Sequence, residues 1–241
     1  MNFDFGYKSV QGKRHDVNQD TIGVMADTDE GTQYEVPVFV VADGLGGYAG
    51  GEVASDIAVN KLVDYVKQHQ QSPAGQLVDG IRDANRSVRS NQQAEARLNK
   101  MQTTVVAAAL TPQVLYVANI GDSRAYLIRD HDTIEQITDD HSLKAELERR
   151  GVQAGRLTRS QITRAIGYDD EIEIDVFEPA WQPGDTLILC SDGLWSEVTE
   201  SQIRETVLSQ PPGAAAESLV ESVKRRGAPD DISIIIVKYK A

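Results

Sequence analysis

Short runs of apolar residues, each bounded by turn residues, recur along the chain and predict β-strands. Most of these runs are continuously apolar rather than alternating, which indicates strands that are covered on both faces. Each predicted sheet therefore needs another layer on either side of it. The five strands predicted in this way are residues 36–42, 104–110, 114–120, 186–190 and 232–237.

A different spacing, in which apolar residues recur every three or four positions, predicts amphipathic helices. A further helix is predicted to begin at Ser72 and Pro73, a good N-cap followed by proline in the first turn, and to run towards Leu98. The apolar positions with helical spacing are Ala54, Ala58, Leu62 and Val66, and again Ala216, Leu219 and Val223.

The order of these elements does not alternate as a parallel βαβ protein would, and it predicts an α+β fold. Strands that are apolar on both faces, with helices grouped in pairs, fit two stacked sheets with helices outside each. The polar stretch at 142–167 indicates a short helix followed by an exposed flap. We expect one domain over residues 1–241, because this length supports a single core.

Composition and charge narrow the classes of function. The formal net charge of -13 repels nucleic acid and anionic membrane surfaces, so neither is an expected partner. No apolar run reaches the roughly 20 residues that span a bilayer, and the first residues do not resemble a signal peptide. We expect a cytoplasmic monomer. The single cysteine, Cys190, is predicted to pack in the core, and no Cys/His group has the spacing of a zinc site.

Aspartates follow or precede several of the predicted strands. Taken singly, each Asp-Gly pair is better explained as a tight turn, which favours these residues. Together they can converge, since strand ends of stacked sheets can meet at one edge. The aspartates in question are Asp43 and Asp192, each followed by glycine, Asp122 in Gly121-Asp122-Ser123-Arg124, Asp230 before the last strand, and Asp20 in Asn18-Gln19-Asp20.

Converging carboxylates require positive charge. Two like charges at about 4 Å cost about 4 kcal/mol at an effective dielectric near 20. Arginines could compensate one or two of them, but a set of hard oxygen ligands without histidine or cysteine suits Mg2+ or Mn2+. Gly44, which has no side chain, would let its own carbonyl approach a cation.

One longer string surrounds Asp43: Val41-Ala42-Asp43-Gly44-Leu45-Gly46-Gly47, which continues through Gly51-Glu52-Val53-Ala54-Ser55. The flanking strings are Asn18-Gln19-Asp20, Thr103-Thr104, Gly121-Asp122-Ser123-Arg124, Thr163-Arg164-Ala165-Ile166-Gly167, Ser191-Asp192-Gly193 and Asp230. These strings, in their order along nearly the whole chain, resemble the PPM family, the metal-dependent protein phosphatases of type 2C.

The resemblance implies a four-layer αββα sandwich of two stacked, mainly antiparallel sheets flanked by helix pairs. It implies two Mn2+ or Mg2+ ions, with Asp43 bridging both, the Gly44 carbonyl on one, and Asp192 and Asp230 on the other. Asp20 would act through metal-bound water.

By analogy with bacterial members, Asp122 would join Asp192 in holding a third metal beneath the flap. The implied activity is hydrolysis of phosphoserine and phosphothreonine in proteins phosphorylated by a serine/threonine kinase. A hydroxide shared by the metals would attack phosphorus directly, without a phosphoenzyme.

The chain departs from the family pattern at three positions. His15 stands where the phosphate-binding arginine is usual, and Arg14 precedes it; we favour Arg14 as the phosphate ligand with His15 second, the alternative being that Arg14 is a solvated loop charge. Leu45 replaces a histidine of many eukaryotic relatives, so the leaving-group proton would come from metal-bound water or from His15. Asp231 replaces an asparagine and adds charge beside Asp230. A histidine elsewhere, His141, is predicted to be structural at a helix start.

Two other functions compete with this interpretation. Gly44-Leu45-Gly46-Gly47-Tyr48-Ala49 satisfies a dinucleotide-binding fingerprint, but Asp43 would face the pyrophosphate and no second parallel strand follows the helix. The second is a catalytically silent relative that binds phosphoproteins as a regulatory scaffold. Retention of all the proposed metal ligands favours the enzyme.

Overall fold

Two five-stranded sheets form the centre of the structure, a computed structural model that describes residues 1–26, 36–45, 50–129, 132–152 and 161–240. The strands are β1 Phe3–Val10, β2 Asp20–Met25, β3 Val38–Asp43, β4 Val105–Leu110, β5 Leu115–Ile120, β6 Arg124–Arg129, β7 Thr133–Gln136, β8 Asp175–Phe177, β9 Thr186–Cys190 and β10 Ile232–Tyr239. One sheet has the order β1-β10-β9-β6-β7 and the other β2-β3-β4-β5-β8, and the neighbouring strands in both orders are antiparallel.

Helix pairs cover the outer faces of both sheets. The first pair packs against the sheet of β2 to β5, and the second against the sheet that contains β1, β10 and β7. The first pair is α1 Gly51–Gln68 and α2 Pro73–Ala94, the second is α5 Glu200–Ser209 and α6 Pro212–Arg225, and two short helices, α3 Leu143–Arg149 and α4 Asp192–Trp195, lie near the strand ends.

Three apolar clusters separate the four layers. Along β3, Val38 and Val40 face α1 and α2, whereas Phe39 and Val41 face the other sheet. A third cluster lies between β9 and β10 and the pair α5 and α6. Continuous apolarity of the central strands thus reflects burial on both faces, and the predicted α+β sandwich is confirmed.

The boundaries differ from the sequence prediction in ways that side-chain chemistry explains. β3 begins at Val38, since Pro37 has no N–H to donate to a ladder. α2 begins as predicted, with Ser72 Oγ accepting the Gly75 N–H, but it ends at Ala94 and a 3-10 turn covers Ala96–Leu98. The other strands, β1, β2, β6, β7 and β8, were not predicted; most of them mix buried with partly exposed positions and lack a continuous apolar run.

Antiparallel pairing on both sides of β3 rules out the dinucleotide-binding alternative, which requires a parallel βαβ unit. Part of its fingerprint, residues 46–49, lies outside the described residues, as do 153–160 of the expected flap. Within the described ranges, no helix has both the length and the apolarity needed to cross a bilayer.

One edge of the sandwich collects the ends of several strands. β2 begins at Asp20 directly opposite Asp43, the last residue of β3, and both belong to the same sheet. In the other sheet, β9 and β10 are paired, so the turns that carry Asp192 and Asp230 are neighbours. The turn between β5 and β6 carries Asp122 to the same edge.

Candidate metal and phosphate site

A cleft of about 430 Å³ opens at this edge of the sandwich. The strand ends of both sheets contribute to it, so residues far apart in sequence share its wall. All predicted site residues except Asp20 line it, namely Arg14, His15, Asp43, Gly44, Asp122, Asp192 and Asp230.

The backbone of Asp43 is held by the start of β4. Its N–H donates to Thr104 Oγ1 at 3.2 Å, and its carbonyl accepts from Thr103 Oγ1 at 2.8 Å and from Thr104 N at 2.9 Å. These bonds fix the main chain and leave the carboxylate to face the cleft. In the sequence, Thr103 and Thr104 were recognised only as part of the family resemblance, and their hydrogen bonds to Asp43 were not predicted.

Packing requires a glycine at position 44, independently of any contact between the Gly44 carbonyl and a cation. Its N–H donates to Gln19 O at 3.0 Å, and a Cβ here would collide with the Gly51 carbonyl and lie 2.6 Å from Gln19 O. A side chain at this position would separate β2 from the start of α1. The glycine therefore allows Asp43, Gln19 and α1 to meet beside the cleft.

Asp20 lies behind the cleft rather than in its lining. It is buried, and its Oδ2 accepts a hydrogen bond from Ser191 Oγ at 2.7 Å. Its Oδ1 is buried and has no hydrogen-bond partner among the described residues. A buried carboxylate oxygen without a partner is costly, so this atom calls for a water or a cation.

Burial and mutual repulsion both oppose the ionisation of the carboxyl groups in the centre of the cleft. Burial raises the pKa of Asp43 well above its usual range, and the neighbouring charges of Asp20, Asp192, Asp122 and Asp230 raise it further. The carboxylates are thus close enough to oppose one another's ionisation.

The pKa values of the other carboxyl groups are raised as well. Burial, followed by the charge of Asp192, raises the pKa of Asp122 well above its usual range. Burial and the charge of Asp230 raise the pKa of Asp192 to about 6. Burial raises the pKa of Asp20 to about 7 against the opposing effect of the Ser191 hydrogen bond.

This donor set fits hard divalent cations. It consists of oxygen atoms, it includes an unpartnered buried oxygen on Asp20, and it carries more negative charge than Arg14 can balance.

The two candidate phosphate ligands both reach the cleft. Arg14 Nη1 lies 2.7 Å from Asp230 Oδ2, and the Arg14 side chain is 56% exposed. His15 Nδ1 lies 3.4 Å from Asp231 Oδ2 and 3.8 Å from Asp230 Oδ1. Arg14 is thus ion-paired at the cleft wall, and more than half of its side chain is exposed to solvent.

Asp231 has a role that sequence reasoning missed. Its Oδ1 accepts the Gly12 N–H at 2.7 Å, and its Oδ2 accepts the Gln19 N–H at 2.8 Å. The carboxylate thereby ties both ends of the loop 12–19 to the start of β10. Nothing local in the sequence indicates these partners, because they are more than 200 residues away.

His141 supports the turn that carries Asp122. The ring is buried, its Nδ1 accepts the Gly121 N–H at 3.0 Å, and its Nε2 donates to Asp175 Oδ2 at 3.0 Å. Burial lowers the pKa of His141, which keeps the ring neutral. The next residue, Ser142, caps α3 by accepting the Ala145 N–H at 3.3 Å, in accord with the predicted structural role.

Comparisons with known proteins identify relatives of the chain. The family model described as Protein phosphatase 2C matches residues 11–226. The chain is 32% identical over 243 residues to Serine/threonine phosphatase stp of Listeria monocytogenes, covering 96% of this chain and 94% of the relative. It is 34% identical over 218 residues to Protein phosphatase PhpP of Streptococcus pneumoniae, covering 83% and 85%.

Solved structures share the whole architecture. The catalytic domain of serine threonine protein phosphatase PstP, in complex with two manganese ions, superposes with a TM-score of 0.85 at 28% identity over 99% of both chains. Serine/threonine phosphatase Stp1 from Staphylococcus aureus superposes with a TM-score of 0.90 at 26% identity, over 100% of this chain and 96% of the other.

Proposed function

Because the chain belongs to the protein phosphatase 2C family, we propose that its cleft hydrolyses phosphoserine and phosphothreonine in proteins with the aid of bound divalent cations. The observation that carries this proposal is the convergence of Asp43, Asp122, Asp192 and Asp230 from different strand ends into one cleft. Such an arrangement is unfavourable unless cations bind there.

The residues of the cleft suit two Mn2+ or Mg2+ ions, and they offer a position for a third ion. Asp43 and the Gly44 carbonyl would hold one ion, and Asp43, Asp192 and Asp230 the other. Asp122 and Asp192 would form the third position. The two manganese ions in the related PstP structure support the choice of metal and the count of two.

Bound cations supply Lewis-acid activation of water and of the phosphoryl oxygens. The chain's own residues then position the reactants. Asp20, held by Ser191, keeps one carboxylate oxygen free to accept a hydrogen bond from water. Its partner in the strand register, Asp43, is fixed through its backbone by Thr103 and Thr104, so the carboxylate is preorganised.

Phosphate recognition is assigned to Arg14, with His15 second. Asp230 fixes one arm of the Arg14 guanidinium, and the remaining N–H groups offer a planar match to phosphate oxygens. His15 lies on the same wall beside Asp230 and Asp231, where it can donate to a phosphate or leaving-group oxygen.

The competing function, a silent phosphoprotein-binding scaffold, receives no support from the relatives, which are named as phosphatases. We further propose that the substrates are proteins phosphorylated by a serine/threonine kinase. The residues that contact the substrate around its phosphate would decide which proteins these are.

The proposal is tested by Mn2+-dependent hydrolysis of p-nitrophenyl phosphate and of a phosphothreonine peptide. We expect Asp43→Ala or Asp192→Ala to abolish turnover, because each removes a ligand from the centre of the cleft. Asp56→Ala, on an exposed face of α1, is the control and should keep normal activity. Full activity in either cleft variant, or after complete removal of metal, would refute the proposal.

A further inference from the structure

Trp195 connects the two turns that carry Asp122 and Asp192. It ends α4, the short helix that begins at Asp192, so its position follows that of the carboxylate one turn earlier. Its indole Nε1 donates to the Asp122 carbonyl at 3.0 Å. This hydrogen bond is a direct link between the β5–β6 turn and α4.

Arg124 holds the Trp195 ring in place. The guanidinium carbon lies 3.6 Å from the ring centroid, a close cation–π contact. Arg124 is only two residues beyond Asp122, at the start of β6. The ring of Trp195 is therefore held from two sides by the segment 122–124, through its N–H and through its face.

The orientation of Arg124 is itself fixed by a bidentate ion pair. Nε and Nη2 donate to the two oxygens of Asp140 at 2.8 and 2.7 Å, and Nη1 donates to Tyr126 Oη at 2.9 Å. Both members of the Arg124–Asp140 pair are largely buried. A forked pair of this kind leaves the guanidinium plane little freedom, so it fixes the plane on which the indole stacks.

The Arg124–Trp195 stack lies close to the cleft. A second cavity, of about 470 Å³, lies between α3 and α4, and its lining includes Arg124, Trp195 and Asp192. Asp192 lines both cavities. The Arg124–Trp195 stack thus lies directly beside the two carboxylates and not in a remote part of the core.

We propose that Trp195 and Arg124 are positioning residues that hold Asp122 and Asp192 at the separation needed to bind one divalent cation beyond the pair at Asp43. Two carboxylates on separate turns repel each other, and in addition to the β6–β9 pairing of Arg124 with Cys190, the two turns are joined by the Trp195 hydrogen bond and the Arg124 stack. The inference rests on the proposed function, because it takes the cleft to be a metal site.

Mn2+ binding to the full chain tests this inference without relying on activity. Electron paramagnetic resonance of free Mn2+ and titration calorimetry give the number of bound ions and their dissociation constants. Trp195→Phe keeps an aromatic face for Arg124 but removes the N–H to Asp122. We expect the dissociation constant of the weakest site to rise about tenfold, as for other residues that orient metal ligands, with the tighter sites unchanged.

Trp181→Phe is the matched control, because Trp181 packs against Tyr239 away from the cleft. Arg124→Lys keeps the charge but loses the forked pair and the planar stack, and should weaken the same site. Asp122→Asn should abolish that site, and adding Trp195→Phe to it should have no further effect on Mn2+ binding. Thermal unfolding of the metal-free proteins shows whether each variant is folded; if Trp195→Phe is not, Arg124→Lys decides the question.

An unchanged weak-site constant in Trp195→Phe or Arg124→Lys would overturn the inference, as would equal weakening of every site. Only two bound ions in the unmodified protein would also overturn it, while leaving the proposed function intact. Failure of the unmodified protein to bind Mn2+ or to hydrolyse phosphothreonine peptide would instead overturn the proposed function.

Discussion

At the residue scale, the cleft concentrates carboxyl groups whose burial and mutual repulsion oppose ionisation. Burial raises the pKa of Asp43, Asp122 and Asp192, and each is raised further by a neighbouring carboxylate. A group whose charged form is disfavoured by the fold destabilises the metal-free protein at alkaline pH. The binding site is therefore formed at a cost in stability that a bound cation offsets.

Replacing one of these carboxylates by its neutral amide should stabilise the metal-free protein. We expect Asp122→Asn to raise the free energy of unfolding at about pH 8 by on the order of 1 kcal/mol, because one repulsive contact and one buried charge are removed. Urea denaturation with a chelator present measures this change. In excess Mn2+ the order should reverse, and a variant that is less stable than the unmodified protein without metal would contradict the expectation.

The second prediction at this scale concerns the two carboxylate oxygens of Asp231. Asp231→Asn turns one acceptor into an NH2 donor, which then faces the N–H of Gly12 or Gln19. Leaving a buried N–H without an acceptor costs about 1–3 kcal/mol, so the free energy of unfolding should fall by that amount.

Urea denaturation at neutral pH measures the Asp231→Asn effect, with Asp56→Asn on the exposed face of α1 as control. Since the loop 12–19 also carries Arg14, the KM for a phosphopeptide should rise. Unchanged stability and KM would show that the loop does not depend on this carboxylate.

At the element scale, His141 joins three segments, namely the turn after β5, the start of the neighbouring strand β8 and the segment around Thr163. Its ring accepts from the turn after β5 and donates to Asp175 at the start of β8, and its backbone carbonyl accepts the Thr163 N–H at 2.9 Å. The ring must be neutral to accept from Gly121, which accords with the lowered pKa. Protonation would replace that acceptor by a donor.

The free energy of unfolding should depend on pH through the protonation of His141. A histidine whose folded pKa is lowered resists protonation in the fold, while the unfolded chain takes up the proton near pH 6.5. Stability should therefore fall as pH decreases below about 6.5, by up to about 1.4 kcal/mol per pH unit.

Urea denaturation of the unmodified protein and of His141→Gln from about pH 8 to about pH 5.5 isolates this contribution. The variant should be less stable at about pH 8, with a smaller loss on acidification. Carboxylates that do not contact His141 cancel in the comparison, and Asp175, which does contact it, has a lowered pKa and stays ionised over this pH range. Parallel pH profiles would show that His141 does not titrate in this way.

At the scale of the whole molecule, the cleft joins the two sheets. Asp20 and Asp43 belong to one sheet, whereas Asp192 and Asp230 adjoin paired strands of the other. A cation held by both sets can bind only when the sheets are stacked. Metal binding and the integrity of the sandwich are therefore linked.

Mn2+ should accordingly stabilise the entire fold and not only its loops. At a concentration about a thousandfold above the dissociation constant, one site adds about 4 kcal/mol to the free energy of unfolding. Thermal unfolding of Trp195→Phe, in which Trp181 between the sheets is the remaining tryptophan, should shift to higher temperature by fluorescence and by backbone circular dichroism together. A shift absent from the Trp181 signal would contradict this linkage.

Much of the fold was predictable from local pattern. β3, β4, β5, β9 and β10 are buried on both faces, so their side chains must be apolar at almost every position, and a short window shows this. Strands β1 and β7 carry no such signal, because they are the edge strands of their sheet and their side chains are partly exposed. The aspartates were recognisable because each stands beside a turn in a string that resembles a known family.

What the sequence by itself determined was the set of layers, the chemistry of the carboxylates and the family. Tertiary structure alone decided which groups meet: Asp231 with Gly12 across 219 positions, His141 with the Gly121 turn, and Trp195 between Asp122 and Arg124. Residue type and local spacing follow from the burial of each element. Contacts between chain-distant residues follow from sheet stacking, which no local window contains.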